Sequence, residues 1–204
     1  MCFKKRWYLS GGIRAKNCLA AYQPKGADSK LDSLTNLANP GVNDAISNAF
    51  DAMGWDAVNG WDMLWQYVFC GGIAATPTTT MLVRFSDLTQ ADAHLCGNGV
   101  VESARFMGRV RQEYGWYYVY GSHTGIPVAP YANSGVWGMA GNKGYRDGVL
   151  DFTSPGVFTG VSNVLRIGHT ELGGSPGKYQ AAAIYNIVLS PEQMLAVSNA
   201  MLAL

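Results

Sequence analysis

Charge is scarce in this sequence: Asp, Glu, Lys and Arg make up 14% of 204 residues, and the net charge at pH 7 is +1. A chain this close to neutral lacks the broad field that draws in nucleic acid or an anionic bilayer, so neither is expected as a partner. The one basic run, Lys4-Lys5-Arg6, reads as a solvated tail. Glutamate is scarcer still, limited to Glu102, Glu113, Glu171 and Glu192. No apolar run approaches the roughly 18 residues that cross a bilayer, which argues against membrane insertion. The residues after Met1 carry positive charge without the apolar stretch of a secretory signal, so a soluble protein that is not exported by the general route is expected. Cys2, Cys18, Cys70 and Cys96 form neither a zinc spacing nor a dense disulfide framework, and they read as free, mostly buried thiols, with a Cys2–Cys18 bridge as the alternative.

What is present is glycine, at 25 residues, and aromatics, at 12%. The length suits one all-β domain with a sizeable core, taken here as residues 11–204 behind an N-terminal arm at 1–10. The arm's Phe3, Trp7 and Tyr8 could pack on the body or on a neighbouring subunit. Residues 11–60 hold many turn formers and few periodic runs. Beyond them come a short strand at Tyr67-Val-Phe-Cys ending in Gly71-Gly72, a long buried strand at Thr78–Phe85, and two strands within 102–120 broken near Glu113–Gly115. Turns at Gly141–Gly144 and Asp147-Gly148 then divide the segment from Val136 to Asp151. The C-terminal stretch from Leu165 reads as strand, loop, strand and helix. Ser190 stands as N-cap, Pro191 at the first helical position and Gln193 three residues on, a capping box with Leu189 and Met194 as its hydrophobic staple. Met194, Val197 and Met201 give the helix one apolar stripe to lay on a sheet.

The run "LRIGHTELGGSPGKYQAAAIYNIVLSPEQM" resembles the last two strands of laminin G-like domains, within the concanavalin A-like lectin and glucanase superfamily. Ile167-Gly168, Tyr185-Asn186 and Leu189-Ser190 carry the match. Upstream, "MLVRFSD" (Met81–Asp87) is similar to the core strand of that fold and "YRDGVLD" (Tyr145–Asp151) to its hairpin, so the resemblance covers roughly the last 125 residues. It implies an all-β, two-sheet antiparallel jelly-roll sandwich closed by a short C-terminal helix. The opening "RWYLSGGIRAKNCLAAYQPKGA" (Arg6–Ala27) resembles bacteriophage virion proteins that carry such a domain.

Trp116, Tyr118 and Tyr120 alternate along one strand and therefore share a face, opposite Tyr117 and Val119. An exposed aromatic face suits the C–H side of a sugar ring, and His123, Tyr131 and Asn133 on the following loop could supply hydrogen bonds at a pocket rim. The competing reading packs both faces of that strand. His94 and His169 lack a neighbour that would make a metal pair. Asp51, Asp56 and Asp62 sit among Trp55, Trp61 and Trp65 at a density that could hold calcium, the one metal the resemblance suggests; without legible alternating ligands, a surface loop or packed corner is the favoured reading and no cofactor is expected. None of the four glutamates falls in the Glu-x-Asp-x-x-Glu strand of the superfamily's retaining glucanases, and no nucleophile elbow, phosphate loop or dinucleotide fingerprint occurs.

These readings converge on a non-catalytic bacteriophage virion surface protein, a capsid decoration, head-fibre or tail-associated component, assembled in the host cytoplasm. Its expected partners are a carbohydrate or host-surface glycan, other virion proteins and further copies of itself in a homo-oligomer. The alternatives are a purely structural assembly module and a polysaccharide hydrolase.

Overall fold

The computed structural model describes residues 6–89, 92–98, 104–111, 115–125, 131–159, 164–170, 173–174 and 176–204, with the backbone alone at Asp92, Arg111, Tyr117, His123, His169 and Thr170. In chain order the first strands are β1 (Cys18–Tyr22), β2 (Ile46–Ser47), β3 (Gly54–Asp56), β4 (Gly60–Met63), β5 (Val68–Ala74) and β6 (Thr80–Ser86). They are followed by β7 (Asp92–Gly97), β8 (Phe106–Arg111), β9 (Gly115–Tyr120), β10 (His123–Gly125), β11 (Gly135–Ala140) and β12 (Lys143–Arg146). The last are β13 (Val149–Thr153), β14 (Val164–Ile167), β15 (His169–Thr170), β16 (Gly173–Gly174) and β17 (Gly177–Tyr185), before helix α1 (Pro191–Leu202).

Two antiparallel sheets face each other. One runs β13-β12-β11-β6-β17-β4-β3, with β1 added on β17; the other runs β10-β9-β8-β7-β14-β5-β2. The expected two-sheet sandwich with one C-terminal helix is therefore what forms. Alternation along each strand decides the layers: Met81, Val83 and Phe85 of β6 enter the space between the sheets, while Leu82 turns to the other side. A third layer covers that other side. Helix α1 and a short 3-10 helix at Trp7–Leu9 bury Leu82, Val136, Ala181, Ala183 and Tyr185 against Met194, Val197 and Met201.

The C-terminal helix starts as its sequence dictates. Gln193 N donates to Ser190 Oγ (3.3 Å) and Ser190 N donates to Gln193 Oε1 (3.1 Å), closing the capping box with Pro191 at the first turn. Leu189 and Met194 are both buried, so the staple holds. The two turns also form where expected. Gly141 has φ +55° between β11 and β12, and Asp147-Gly148 has φ +50° and +82° between β12 and β13, the paired positive values that an Asp-Gly turn supplies.

One local expectation is corrected, and two are made specific. The strand at Tyr67–Cys70 does not stop at Gly71-Gly72; β5 passes through both glycines to Ala74, and its register against β14 shifts there. Only glycine accepts this, because Gly71 has φ +57° and a Cβ on it would overlap the Asn43 backbone. Within 11–60, β1 is a fully integrated strand on β17, with Ala20 and Tyr22 in the main core and Ala21 under the helix layer. Of the two places open to the arm's aromatics, Trp7 and Tyr8 take the body: Trp7 Nε1 donates to Gln23 Oε1 (2.9 Å), Tyr8 Oη to the Leu37 carbonyl (2.8 Å), and Tyr185 Oη to the Tyr8 carbonyl (2.8 Å). Trp7 is 1% exposed and so is unavailable to a neighbouring subunit; Phe3 and the basic run's two lysines lie outside the described residues.

Cys18, Cys70 and Cys96 are free and buried, and Cys2 lies outside the described residues. Burial pushes the Cys18 thiol up to about 12 and raises Cys70 and Cys96 as well. A raised thiol pKa withholds the thiolate until the pH passes it, so at pH 8 these three should resist Ellman's reagent in the native protein and react fully after unfolding in guanidinium. Rapid labelling of any of the three in the native state would contradict the packing.

Candidate functional site

The aromatic strand expected to bind sugar faces inward. Trp116, Tyr118 and Tyr120 are 0%, 1% and 6% exposed, so none is a surface platform. Phe106 and Val110 of β8, on the same inner side, leave them no solvent to face. Tyr118 stacks between Trp137 (ring centroids 5.8 Å apart) and Phe152 (6.3 Å), while its hydroxyl donates to Asp151 Oδ2 at 3.2 Å. Burial, then the Asp151 charge, raises the Tyr118 phenol far above its usual range, which keeps it a neutral donor. Trp116 packs on Phe85, and Tyr120 on Phe158 with its hydroxyl on the Pro77 carbonyl. Of the loop candidates, His123 pairs by backbone with Tyr120 in β10, and its side chain lies outside the described residues. Tyr131 is half-buried with its hydroxyl 3.5 Å from the Leu88 carbonyl, and exposed Asn133 accepts at its carbonyl from Leu88 N. These two therefore sit at the sandwich rim, apart from any exposed aromatic of β9.

A partly exposed aromatic pair, Tyr67 and Phe69, does exist on the outer side of the seven-stranded sheet at its β14-β5-β2 edge. Trp65, in the loop between β4 and β5, is 63% exposed, whereas Trp7, Trp61, Trp116 and Trp137 are buried. The loop is held by one side chain, since Leu64 N and Trp65 N both donate to Gln66 Oε1 at 2.9 and 3.3 Å. Tyr67 N donates to Asn48 Oδ1 (2.7 Å) and Asn48 N to the Tyr67 carbonyl (3.0 Å), tying this loop to the segment after β2. Tyr67 and Phe69 then meet edge to face, their ring centroids 5.0 Å apart. The Arg166 guanidinium lies 5.1 Å from the Tyr67 ring centre and 5.2 Å from that of Phe69, within cation–π range of both.

Register explains the cluster. Phe69 stands opposite both Ile46 on β2 and Arg166 on β14, and Arg166 stands opposite Gly97 on β7. Gly97, at φ +140°, puts no side chain beside Arg166, and Ile46 at the other end of the row is 61% exposed. The result is an aromatic and aliphatic strip with a planar cation in it, bordered by the amides of Asn48 and Gln66. Such a strip can stack against the apolar face of a ring and hydrogen-bond its hydroxyls, and it offers no acid–base pair. The missed signal is the alternation Trp65-x-Tyr67-x-Phe69, the same period-two pattern as Trp116-x-Tyr118-x-Tyr120.

The acidic segment is largely a hairpin, with Asp56 ending β3 and Asp62 inside β4. Asp56 accepts from Val58 N and Asn59 N through Oδ1, and from Asn59 Nδ2 through Oδ2 at 3.0 Å; these hydrogen bonds, foremost that of the Asn59 side chain, lower its carboxyl pKa. Among the described residues no group of three His, Cys, Asp or Glu side chains is placed to hold a metal. His94 is buried and stands opposite Arg109 in the β7–β8 register.

The fold is shared with solved structures of low sequence identity. Domain 4 of AbnA, a GH43 extracellular arabinanase from Geobacillus stearothermophilus solved with arabinotriose, is 15% identical with a TM-score of 0.64, over 89% of this chain and 98% of that one. A mutant of Trypanosoma rangeli sialidase displaying trans-sialidase activity matches with 15% identity and a TM-score of 0.64, over 93% of this chain and 34% of that one. This chain thus spans about a third of the sialidase's length. A mutant of HCR/D is 10% identical with a TM-score of 0.63, over 91% and 52% of the two chains. At these identities the likeness is one of fold, a two-sheet β-sandwich. No family model matches the sequence, and no curated protein does.

Proposed function

We propose that the protein is a non-catalytic carbohydrate-binding module whose ligand lies on the Trp65, Tyr67, Phe69 and Arg166 face. The observation that carries this reading is the Tyr67–Phe69 pair with the Arg166 guanidinium within range of both rings, two residues along the chain from Trp65, which is 63% exposed. Rings held by register and stacking lose little freedom when a sugar arrives, which favours binding. A lectin-like sandwich and a relative solved with arabinotriose support a glycan as the ligand. A non-catalytic role suits the carboxylates that are described. Glu192, the one glutamate among the described residues, takes a hydrogen bond from Ser190 Oγ at 2.7 Å, which lowers its pKa and leaves it an ionised part of the helix start.

The setting we propose is a bacteriophage particle surface, as a decoration, head-fibre or tail-associated protein contacting host-surface glycan. It rests on the resemblance of Arg6–Ala27 and on the low charge of the chain. The test is a glycan array followed by calorimetry. Trp65→Ala should weaken binding about tenfold or more, as expected when a central aromatic anchor is truncated, with an unchanged circular dichroism spectrum. Full affinity in Trp65→Ala would remove the site, and no binding by wild type would remove the lectin reading.

One observation favours assembly as the second role. Strand β13 ends its sheet and carries Val149 and Leu150, 64% and 49% exposed. An apolar edge strand is a template for pairing with another copy. If the protein is an oligomer through this edge, Leu150→Lys should reduce its mass by light scattering to that of a monomer, and an unchanged mass would exclude the edge.

A further inference from the structure

A second site lies on the opposite sheet, independent of the Trp65 face. Where α1 ends, the outer side of β6 and β17 is uncovered, and a cleft of about 430 Å³ opens there, lined by Arg84, Ser86, Ser134, Asp147, Gln180 and Leu202. That volume falls in the range of small-molecule sites, roughly 300–1,000 Å³.

Its polar groups are positioned by the fold and only partly used by it. Arg84 Nη1 donates to the Met201 carbonyl at 2.6 Å, its one hydrogen bond among the described residues, and burial lowers its pKa. A guanidinium carries five N–H groups, so most remain to be matched. Gln180 is 7% exposed and gives its amide nitrogen to Ser86 Oγ at 3.2 Å, leaving Oε1 without a hydrogen bond among the described residues. Asp147, at φ +50°, takes the Val136 N–H on Oδ1 at 2.7 Å; its Oδ2 has no hydrogen bond among the described residues. Behind the cleft wall at Gly135 lies Trp116, whose ring would be 2.9 Å from a Cβ there, so the wall is thin and fixed. Leu202, 43% exposed, adds an apolar surface.

We propose that this cleft binds an acidic sugar unit, a hexuronic acid. Its carboxylate pairs with Arg84, its hydroxyls donate to Asp147 Oδ2 and Gln180 Oε1, and its C–H face rests on Leu202. A planar carboxylate matches the guanidinium fork, and ring hydroxyls suit acceptors set on the facing wall. A neutral hexose would leave the half-buried cation unmatched, and a simple carboxylate would leave the acceptors unused.

The test titrates the full chain with glucuronate, glucose and acetate by calorimetry or saturation-transfer NMR. Glucuronate should bind at least tenfold more tightly than either of the others. Arg84→Gln should abolish this preference. Because Arg84 also holds the end of α1, Ser134→Trp provides an independent variant: Ser134 is exposed at the cleft mouth, so filling it should block glucuronate while the melting temperature stays unchanged. Trp65→Ala should leave glucuronate binding intact, which separates failure here from failure at the other face. Equal binding of glucose, equal binding of acetate, or unchanged glucuronate affinity in both Arg84→Gln and Ser134→Trp would each overturn the proposal.

Discussion

Tyr118→Ala is expected to lower the free energy of unfolding by about 3–5 kcal/mol, the cost of deleting a large buried aromatic. The side chain is 1% exposed and forms the middle of a stack running from Trp137 through Tyr118 to Phe152, with Phe106 edge-on to Trp137 at 6.4 Å. Truncation removes the contacts on both ring faces at once. It also leaves Asp151 Oδ2 without its phenol donor. The measurement is a guanidinium unfolding curve, read as a fall in midpoint at constant slope. Near-native stability would mean that the strand faces solvent and would return Trp116, Tyr118 and Tyr120 to the list of ligand contacts.

Gly144→Ala is the second large effect, and its sign depends on Tyr118. Gly144 lies on β12 facing the core, and a Cβ there would overlap the Tyr118 ring; Gly108 on β8 stands in the same relation to Trp137. Neither glycine has a positive φ, so the constraint is space rather than backbone conformation. Alanine at 144 alone should cost about 1–3 kcal/mol through overpacking. In the Tyr118→Ala background the added methyl enters vacated space, and the same substitution should cost close to nothing. A double-mutant cycle reads this as a coupling of about 1–3 kcal/mol between the positions, and strict additivity would refute the contact.

The two aromatic triplets show where the sequence stops being informative. Trp65-x-Tyr67-x-Phe69 and Trp116-x-Tyr118-x-Tyr120 have the same spacing, and read as strands each would put three rings on one face, although β5 begins only at Val68. The residues between them do not decide which face turns inward. For the first they are Gln66 and Val68; Val68, with Cys70 beyond the triplet, fills the core and leaves Tyr67 and Phe69 outside. For β9 the inner face needs bulk, because Gly108 and Gly144 on neighbouring strands leave room that only large rings can fill. That complementarity links residues far apart in the chain, and local periodicity carries no trace of it.

Local chemistry did determine other parts. The capping box at Ser190, the Asp147-Gly148 turn and the strands β6, β8, β9, β14 and β17 depend on neighbours within a few residues and are legible from the sequence. The neutral net charge and the lack of paired thiolate spacings were also readable without coordinates. Only the tertiary structure decided that β1 joins β17, that Trp7 and Tyr8 pack under α1, and that Arg166 reaches Tyr67 and Phe69 across nearly 100 residues of chain. It also decided that Arg84, Asp147 and Gln180 line one cleft. These placements arise from strand order and register between distant segments. A sequence specifies them through the summed packing of the whole sandwich, so no single stretch of it displays them.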